Sequence, residues 1–351
     1  MNGLVVAYRP GPPGRPALAL EERPVPELAD GEVLLRVDAC SICGTDLRIA
    51  SGGHAAFADG AGRVPGHEVV GTVVASKAGG APRVGERVFV APNYGCGACR
   101  QCKLGMVNLC ERPRATGITE DGGFAQYLLL NRELVGQGNL LTVDGDVEAS
   151  ALALAEPLAC AWRGSQACRI NQGDVVVVYG AGPIGLLHVA LAKLAGASAV
   201  IVYEPNAARR ELAIVWGASS APGGEEDLRD ALTAAGATSG ADAVIVAAPA
   251  PAAQRQALEL AAPGGRVNFF AGLPRGGKGV ELDTNLIHYK ELLVTGTTAS
   301  TNGSCRAALE LIVSGQVDAA SLIGARRPLT SAVEAFELAA TGDVMKVVVQ
   351  P

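Results

Sequence analysis

The sequence predicts an α/β chain: a β-rich domain followed by a doubly wound parallel sheet. Three observations carry that expectation. The first 150 residues alternate short apolar runs with Gly, Pro and Asp clusters, the pattern of strands joined by turns. From about Asp174 the order becomes strand, helix, strand, which implies a parallel sheet covered on both faces. A glycine hexapeptide directly follows the first strand of that second region.

In the first region the expected strands include Leu34 to Val37, Val69 to Val74 and Val88 to Ala91. In the second they are Val175 to Tyr179, Ala199 to Tyr203, Ala243 to Ala248, Arg266 to Phe270 and Leu292 to Thr295, most of them separated by Ala/Leu-rich segments with helical periodicity. After about Thr297 come a helix-like piece, Cys305 to Ser314, and a last strand, Val344 to Val349, that can return to the first domain. No repeat or low-complexity tract interrupts the chain.

The length of 351 residues corresponds to about two domains at roughly 100 to 200 residues each. With 29 basic residues against 35 acidic ones, a net charge of −6 and no basic run, a nucleic-acid or anionic-membrane partner is disfavoured. Met1 to Gly11 lacks the basic start and apolar stretch of a secretory signal, so a cytoplasmic protein is expected. The stretch Val175 to Ala192 is long and uncharged enough to suggest a membrane helix. Gly180, Gly182, Pro183 and Gly185 fall inside it, and the β-branched run before them reads instead as a buried parallel strand.

Gly180-Ala181-Gly182-Pro183-Ile184-Gly185 opens a helical segment, Ile184 to Ala195, and a second strand ends at Glu204. This is the dinucleotide-binding arrangement. Gly180 permits the tight turn, Gly182 lets the backbone approach the pyrophosphate, and Gly185 lets helix and strand pack closely. The helix N-terminus presents free N–H groups to the phosphates. Glu204 can accept from the ribose hydroxyls and repels a 2′-phosphate, so NAD is favoured over NADP. Arg209 and Arg210 follow closely and could soften that preference. The alternative for both is a solvated helix face, which is the favoured reading of Arg210.

Nine cysteines in a reducing compartment suggest ligands or catalytic groups rather than disulfides. Cys96-x2-Cys99-x2-Cys102-x7-Cys110 has the spacing of a closed, four-thiolate structural zinc site, holding a loop of residues 93–112 with few apolar side chains to order it. A second, dispersed set comprises Cys43, His67, Glu68 and Glu156. Taken singly, His67 reads as a core histidine, Glu68 as a surface acid and Glu156 as a helix-start acid before Pro157. Alongside a nicotinamide site and a zinc loop, the set becomes far more specific.

On these motifs the whole sequence resembles the zinc-dependent medium-chain dehydrogenases/reductases, the alcohol dehydrogenase superfamily. Glu156-Pro157-Leu158 in place of a cysteine ligand makes it most similar to the sorbitol and polyol dehydrogenase branch. The resemblance implies a GroES-like catalytic domain, residues 1–157 and 298–351, and a Rossmann domain, residues 158–297. It implies that Cys43 and His67 hold a catalytic zinc and that Glu156 is the third ligand, directly or through water. Glu68 would stand behind the metal, Asp46 would orient His67, Thr45 would contact the substrate alcohol and Lys346 would lie near the cofactor pyrophosphate. Two zinc ions per chain follow, one catalytic and one structural. The zinc would lower the pKa of the substrate alcohol, which then gives up hydride to the nicotinamide.

Three departures qualify the match. Arg48 stands where some relatives carry the histidine that ends a proton relay, and arginine cannot receive a proton; it serves instead to bind an anionic or polyhydroxylated substrate, or the relay leaves by another route, His54 being one candidate. The Arg-Tyr pair of polyol relatives is replaced by small residues, Gly296 to Asn302, which still suit a wide polar pocket. Cys40, Cys160, Cys168 and Cys305 remain unassigned and read as small buried apolar residues. The expected activity is interconversion of a secondary alcohol and a ketone on a polyol, sugar or cyclitol-type small molecule. The alternatives are a threonine or vicinal-diol dehydrogenase and a non-catalytic NAD-binding protein. Zinc-free relatives that reduce activated double bonds lack the Cys43, His67 and Glu156 set. A homodimer or homotetramer is expected, since a final strand near Leu292 to Thr295 could pair edge to edge.

Overall fold

A computed structural model describes residues 2–9, 17–57, 62–80, 82–273 and 279–351. Met1, Pro10 and Gly11 of the N-terminal segment discussed above lie outside the described residues. The chain divides into two units, Met1–Ala159 with Ala299–Pro351, and Cys160–Thr298.

The first unit is β-rich. Strand β1 (Asn2–Tyr8) pairs antiparallel with β2 (Leu18–Pro24). A larger sheet contains β3 (Val33–Ser41), β4 (Glu68–Ser76) and β5 (Arg87–Val90), while the short β6 (Asn93–Tyr94) and β7 (Arg114–Ala115) pair with each other. Strands β8 (Tyr127–Leu130) and β9 (Leu140–Thr142) join the larger sheet on β3 and β5 respectively. The β-branched and Leu residues of these runs fill one core, with Val33, Leu35, Val37, Val69, Val73, Val88 and Val90 buried against Phe124 and Phe336, while Arg36 between two of them points to solvent. This alternation is what a sheet with one packed face demands.

The second unit is a parallel sheet of β10 (Val175–Tyr179), β11 (Ala199–Tyr203), β12 (Ala241–Val246), β13 (Ala261–Phe269) and β14 (Leu293–Gly296). Its order is β11-β10-β12-β13-β14, and a bridge from Ile201 to Ser220 continues it beyond β11. Every residue of β10 is buried, as a central parallel strand covered on both faces requires; each such valine contributes roughly 1.5 to 3 kcal/mol through burial. The strand order reverses between β10 and β12, the place where open α/β sheets bind ligands beyond their carboxyl ends. The uncharged stretch Val175 to Ala192 is therefore β10, a glycine turn and the helix Pro183–Leu194. Among the described residues no helix is long and apolar enough to cross a membrane.

All five expected strand runs of this unit are strands; Val175–Tyr179 and Ala199–Tyr203 match end to end, and the other three have shifted ends. Ala247 and Ala248 lie beyond β12, whose last ladder bond runs from the Ala247 amide to Tyr179 O at 2.9 Å. The later helix begins at Asn302 rather than Cys305 because Thr301 caps it, its hydroxyl accepting from the Ser304 amide. The last strand, β16 (Lys346–Gln350), pairs parallel with β15 (Ile323–Pro328) and antiparallel with β3, so the C-terminal segment does return to the first unit.

Candidate functional site

Register assembles the first site. Ser41, the last residue of β3, lies opposite Glu68, the first of β4, and opposite Val348 of β16. Cys43 just past β3, His67 just before β4 and Lys346 at the start of β16 therefore gather at one end of the sheet. Gly66 makes the sharp entry to His67: its φ is +106°, and a Cβ there would lie 2.7 Å from Cys40 Sγ and 2.9 Å from Phe124. The donor atoms of Cys43, His67 and Glu68 all lie within 4.8 Å of one another.

Asp46 organises this cluster. It is fully buried, its Oδ2 accepts from the Cys43 amide at 2.9 Å, and its Oδ1 approaches His67 Nδ1 to 3.5 Å. His67 Nδ1 and Asp46 Oδ1 otherwise lack hydrogen-bond partners. Burial pulls the imidazole pKa down, but Asp46 and Cys43 outweigh it and hold it well above its ordinary value. A half-buried thiol gathered with a buried imidazole and a buried carboxylate is the donor chemistry of an open zinc site, so the residues fit that ion.

Glu68 and Lys346 form a buried ion pair: Lys346 Nζ donates to both Glu68 oxygens, at 2.8 and 2.6 Å, and to Ile42 O at 2.9 Å. The pairing of β16 with β3 draws it into the sheet end, where only 5% of its surface is exposed. Burial pushes the Glu68 carboxyl up, Lys346 and His67 oppose this, and Glu156 adds to it as a like charge.

Glu156 begins the helix Ala155–Cys168 and is not among the three clustered donors. Its Oε1 accepts from the Ser300 hydroxyl at 2.8 Å. Thr45 Oγ1 accepts from the Arg48 guanidinium at 3.1 Å. His54 Nδ1 accepts from the Ala56 amide at 3.3 Å and its ring meets Phe57 edge to face, the setting of a loop histidine. Ser300 and its neighbour Asn93 escaped the sequence reading; the small hydroxylated run Thr297 to Asn302 marked the region, but the partner lies 144 residues away.

The four cysteines of the loop bring their sulfurs within 4.8 Å of one another. Backbone amides aim at them: Cys99 N donates to Cys96 Sγ, and Cys96 N and Arg112 N donate to Cys110 Sγ, at 3.2 to 3.3 Å. Donation from the Ala98 and Cys99 amides pulls the Cys96 thiol down to about 6, and burial pushes Cys102 up to about 12. None of the nine cysteines is in a disulfide, so four sulfurs stand ready for a tetrahedral ion. Cys40, Cys168 and Cys305 are buried and Cys160 is half-buried.

In the second unit Gly180 takes φ +98°, Gly182 precedes the helix and Pro183 starts it. At Gly185 a Cβ would stand 1.8 Å from Gly180 O, so only glycine lets the helix close on the turn. Ile184 lies between them in the first turn. Glu204 is buried, with Oε2 accepting from Ala181 N at 2.8 Å and Oε1 from Asn206 N at 2.9 Å. Each oxygen keeps a second lone pair. The Arg209 amide donates to Asn206 Oδ1, which caps the following helix. Arg210, read from sequence as a solvated side chain, crosses instead to Glu204 O and Pro205 O at 3.2 and 2.7 Å and lines a cavity of about 600 Å³ with Ser220, Pro222, Gly223 and Asp227.

The chain matches the alcohol dehydrogenase GroES-like domain over residues 29–137 and the zinc-binding dehydrogenase domain over residues 183–314. It is 32% identical to an L-threonine 3-dehydrogenase of Caldanaerobacter subterraneus subsp. tengcongensis over 94% of each chain. It is also 32% identical to the L-galactonate-5-dehydrogenase of Escherichia coli K12 over 91% of each. A chain described as a zinc-binding dehydrogenase of Sinorhizobium meliloti 1021, crystallised with NADP, superposes with a TM-score of 0.88 at 33% identity over all of both chains. Fold, metal donors, glycine turn and full-length likeness converge: the chain belongs to the zinc-dependent medium-chain dehydrogenases/reductases, oxidoreductases that use zinc and a nicotinamide cofactor on small hydroxylated substrates.

Proposed function

We propose that this enzyme interconverts a secondary alcohol and a ketone on a polyol, sugar or cyclitol-type substrate, with NAD as hydride acceptor and two zinc ions per chain. The observation that carries the reading is the half-buried Cys43 thiol gathered with the buried His67 imidazole and Glu68 carboxylate at the end of β3 and β4, with Thr45, Asp46 and Arg48 on the helix that follows Cys43. Residues 1–157 and 298–351 would carry the metal chemistry and residues 158–297 the dinucleotide.

When bound, zinc acidifies the substrate hydroxyl and the nicotinamide accepts hydride. Cys43 and His67 would hold the metal, with Glu156 as third ligand or water-borne neighbour. Asp46 fixes the His67 ring. Thr45 can take the substrate proton on its free lone pair and pass its own proton on, since a hydroxyl both accepts and donates; Arg48 donates to Thr45 and orients it. Arg48 stays protonated, so its role is to hold a hydroxyl or carboxylate of the substrate. Cys96, Cys99, Cys102 and Cys110 would hold the structural ion. The full-length likeness to an L-threonine 3-dehydrogenase supports a second reading, in which Arg48 meets an amino-acid carboxylate.

Gly180, Gly182, Pro183, Ile184 and Gly185 would cradle the pyrophosphate, and Glu204 would select NAD. Glu204→Ala is expected to narrow the NAD-to-NADP ratio of kcat/KM by about tenfold, the equivalent of roughly 1.4 kcal/mol; an unchanged ratio removes Glu204 from cofactor choice. The absence of disulfides among the nine cysteines suits the cytoplasm. The edge strand β14, with Leu293 exposed, supports a homodimer or homotetramer, which light scattering measures directly.

The deciding experiment follows NADH formation across polyols, sugar acids, cyclitols, vicinal diols and threonine, with and without a chelator. Turnover of one polyhydroxylated group, lost on chelation and restored by zinc, is expected. Turnover confined to threonine establishes the second reading, and activity indifferent to chelation overturns both.

A further inference from the structure

Three residues distant in sequence form one directed chain of hydrogen bonds in the first unit. Asn93 Nδ2 donates to Ser300 Oγ at 2.9 Å and to Ser300 O at 3.2 Å, and Ser300 Oγ donates to Glu156 Oε1 at 2.8 Å. An amide NH₂ can only donate. The Ser300 hydroxyl must therefore accept from Asn93, and its single proton is aimed at Glu156.

Both ends of the chain are held. Ser300 is fully buried. The residue before it, Ala299, adopts the left-handed φ of +57°, a conformation that a non-glycine residue keeps only when its surroundings impose it. The residue after it, Thr301, caps the helix Asn302–Val313 reciprocally with Ser304. Asn93 is fixed by its pairing with Ala115 and by Asn139 Nδ2, which donates to Asn93 O at 2.8 Å. A strained backbone that delivers a buried hydroxyl to a carboxylate beside the metal donors marks a position set by function rather than by packing.

We propose that Ser300 is a positioning residue for the dehydrogenase reaction: oriented by Asn93, it fixes the Glu156 carboxylate in the orientation in which it serves the metal and the substrate. This rests on the reading above, in which Glu156 works at the zinc site. Ser300 touches neither zinc nor substrate in this role. It acts only through Glu156.

The test compares wild type, Ser300→Ala, Ser300→Thr, Asn93→Ala, Glu156→Ala and the Ser300→Ala/Glu156→Ala double variant. Readouts are kcat and KM, the visible absorption of the cobalt-substituted protein, and the rate at which a chelator strips the metal. Ser300→Ala is expected to lower kcat about 10- to 100-fold, the usual effect of removing a group that orients a metal's surroundings, with KM for NAD unchanged. It should also shift the cobalt spectrum and speed metal loss. Ser300→Thr, which keeps the hydroxyl, recovers most of the loss, and Asn93→Ala, which leaves Ser300 in place, shows the same spectral shift more weakly. In the Glu156→Ala background the Ser300 change moves neither the spectrum nor the release rate further. Wild-type kinetics and spectrum in both Ser300→Ala and Asn93→Ala overturn the proposal, as does an equal shift with and without Glu156. If Glu156→Ala itself turns over and absorbs like wild type, the reading of Glu156 at the zinc site fails and the positioning role falls with it.

Discussion

Lys346 shows how the sheet places one residue: its pairing brings the ammonium onto Glu68. Burial pulls its ammonium down, yet the Glu68 carboxylate, with Cys43 and Asp46 behind it, lifts it above its ordinary value, so the ion pair stays charged. Breaking such a pair strands its partner: Lys346→Met should destabilise the first unit by about 3 to 5 kcal/mol, and Lys346→Met/Glu68→Gln should recover much of that. Urea unfolding of the three proteins decides it, and a loss in the single variant no larger than in an exposed pair would show that Glu68 finds another partner. His188 poses the opposite case. It lies on the glycine-motif helix with both ring nitrogens unpartnered, its ring edge-on to Phe270 at 4.9 Å, and burial pushes it down to about 3. Its folded pKa lies below the unfolded value of about 6.5, so the unfolded chain binds the proton first. Stability is therefore intact above about pH 6.5 and lost as pH falls toward 3, by up to about 1.4 kcal/mol per pH unit. His188→Leu should flatten that slope in unfolding measured between pH 7 and pH 4.5; an identical slope in both proteins would place the acid sensitivity elsewhere.

At the scale of the element, the four-cysteine loop has little but its sulfurs to order it. Cys96, Cys99 and Cys102 are only half-buried, and the short helix Arg100–Lys103 between them buries no side chain. A bound metal ion would then be the main source of its order. Stripping zinc should release the four loop thiols to a disulfide reagent, with Cys96, already pulled down to about 6, reacting first and Cys102, pushed up to about 12, last when the digest is mapped. Equal thiol counts before and after chelation would mean that the loop holds no ion. This element was legible because its ligands are local: spacing along fifteen residues of chain is itself the geometry. The glycine turn was legible for the same reason. The environment of Glu68 was not, since the pairing of β16 with β3 brings Lys346 to it from 278 residues away, and no local pattern encodes which strands become neighbours. Ser300 shares that obscurity, its strained turn being visible only in the backbone.

For the whole molecule, the division of labour follows the path of the chain. Cys43, His67, Glu68 and Glu156 belong to the unit built from both ends, Met1–Ala159 with Ala299–Pro351, whereas Gly180, Gly185 and Glu204 belong to Cys160–Thr298. Each unit has its own apolar core, around Phe124 and Phe336 in the first and around the buried valines of β10 and β12 in the second. Separate cores mean that damage to one site need not reach the other. Cys43→Ser removes a zinc donor while keeping a hydroxyl of similar shape, so it should abolish turnover and leave NADH affinity within about a factor of two of wild type, an energy change well under 1 kcal/mol. Fluorescence titration with NADH measures the affinity, and metal analysis is expected to show one zinc fewer per chain than in wild type. Affinity and turnover lost together would show that nucleotide binding depends on the metal unit, and the assignment of separate duties to the two units would then be withdrawn.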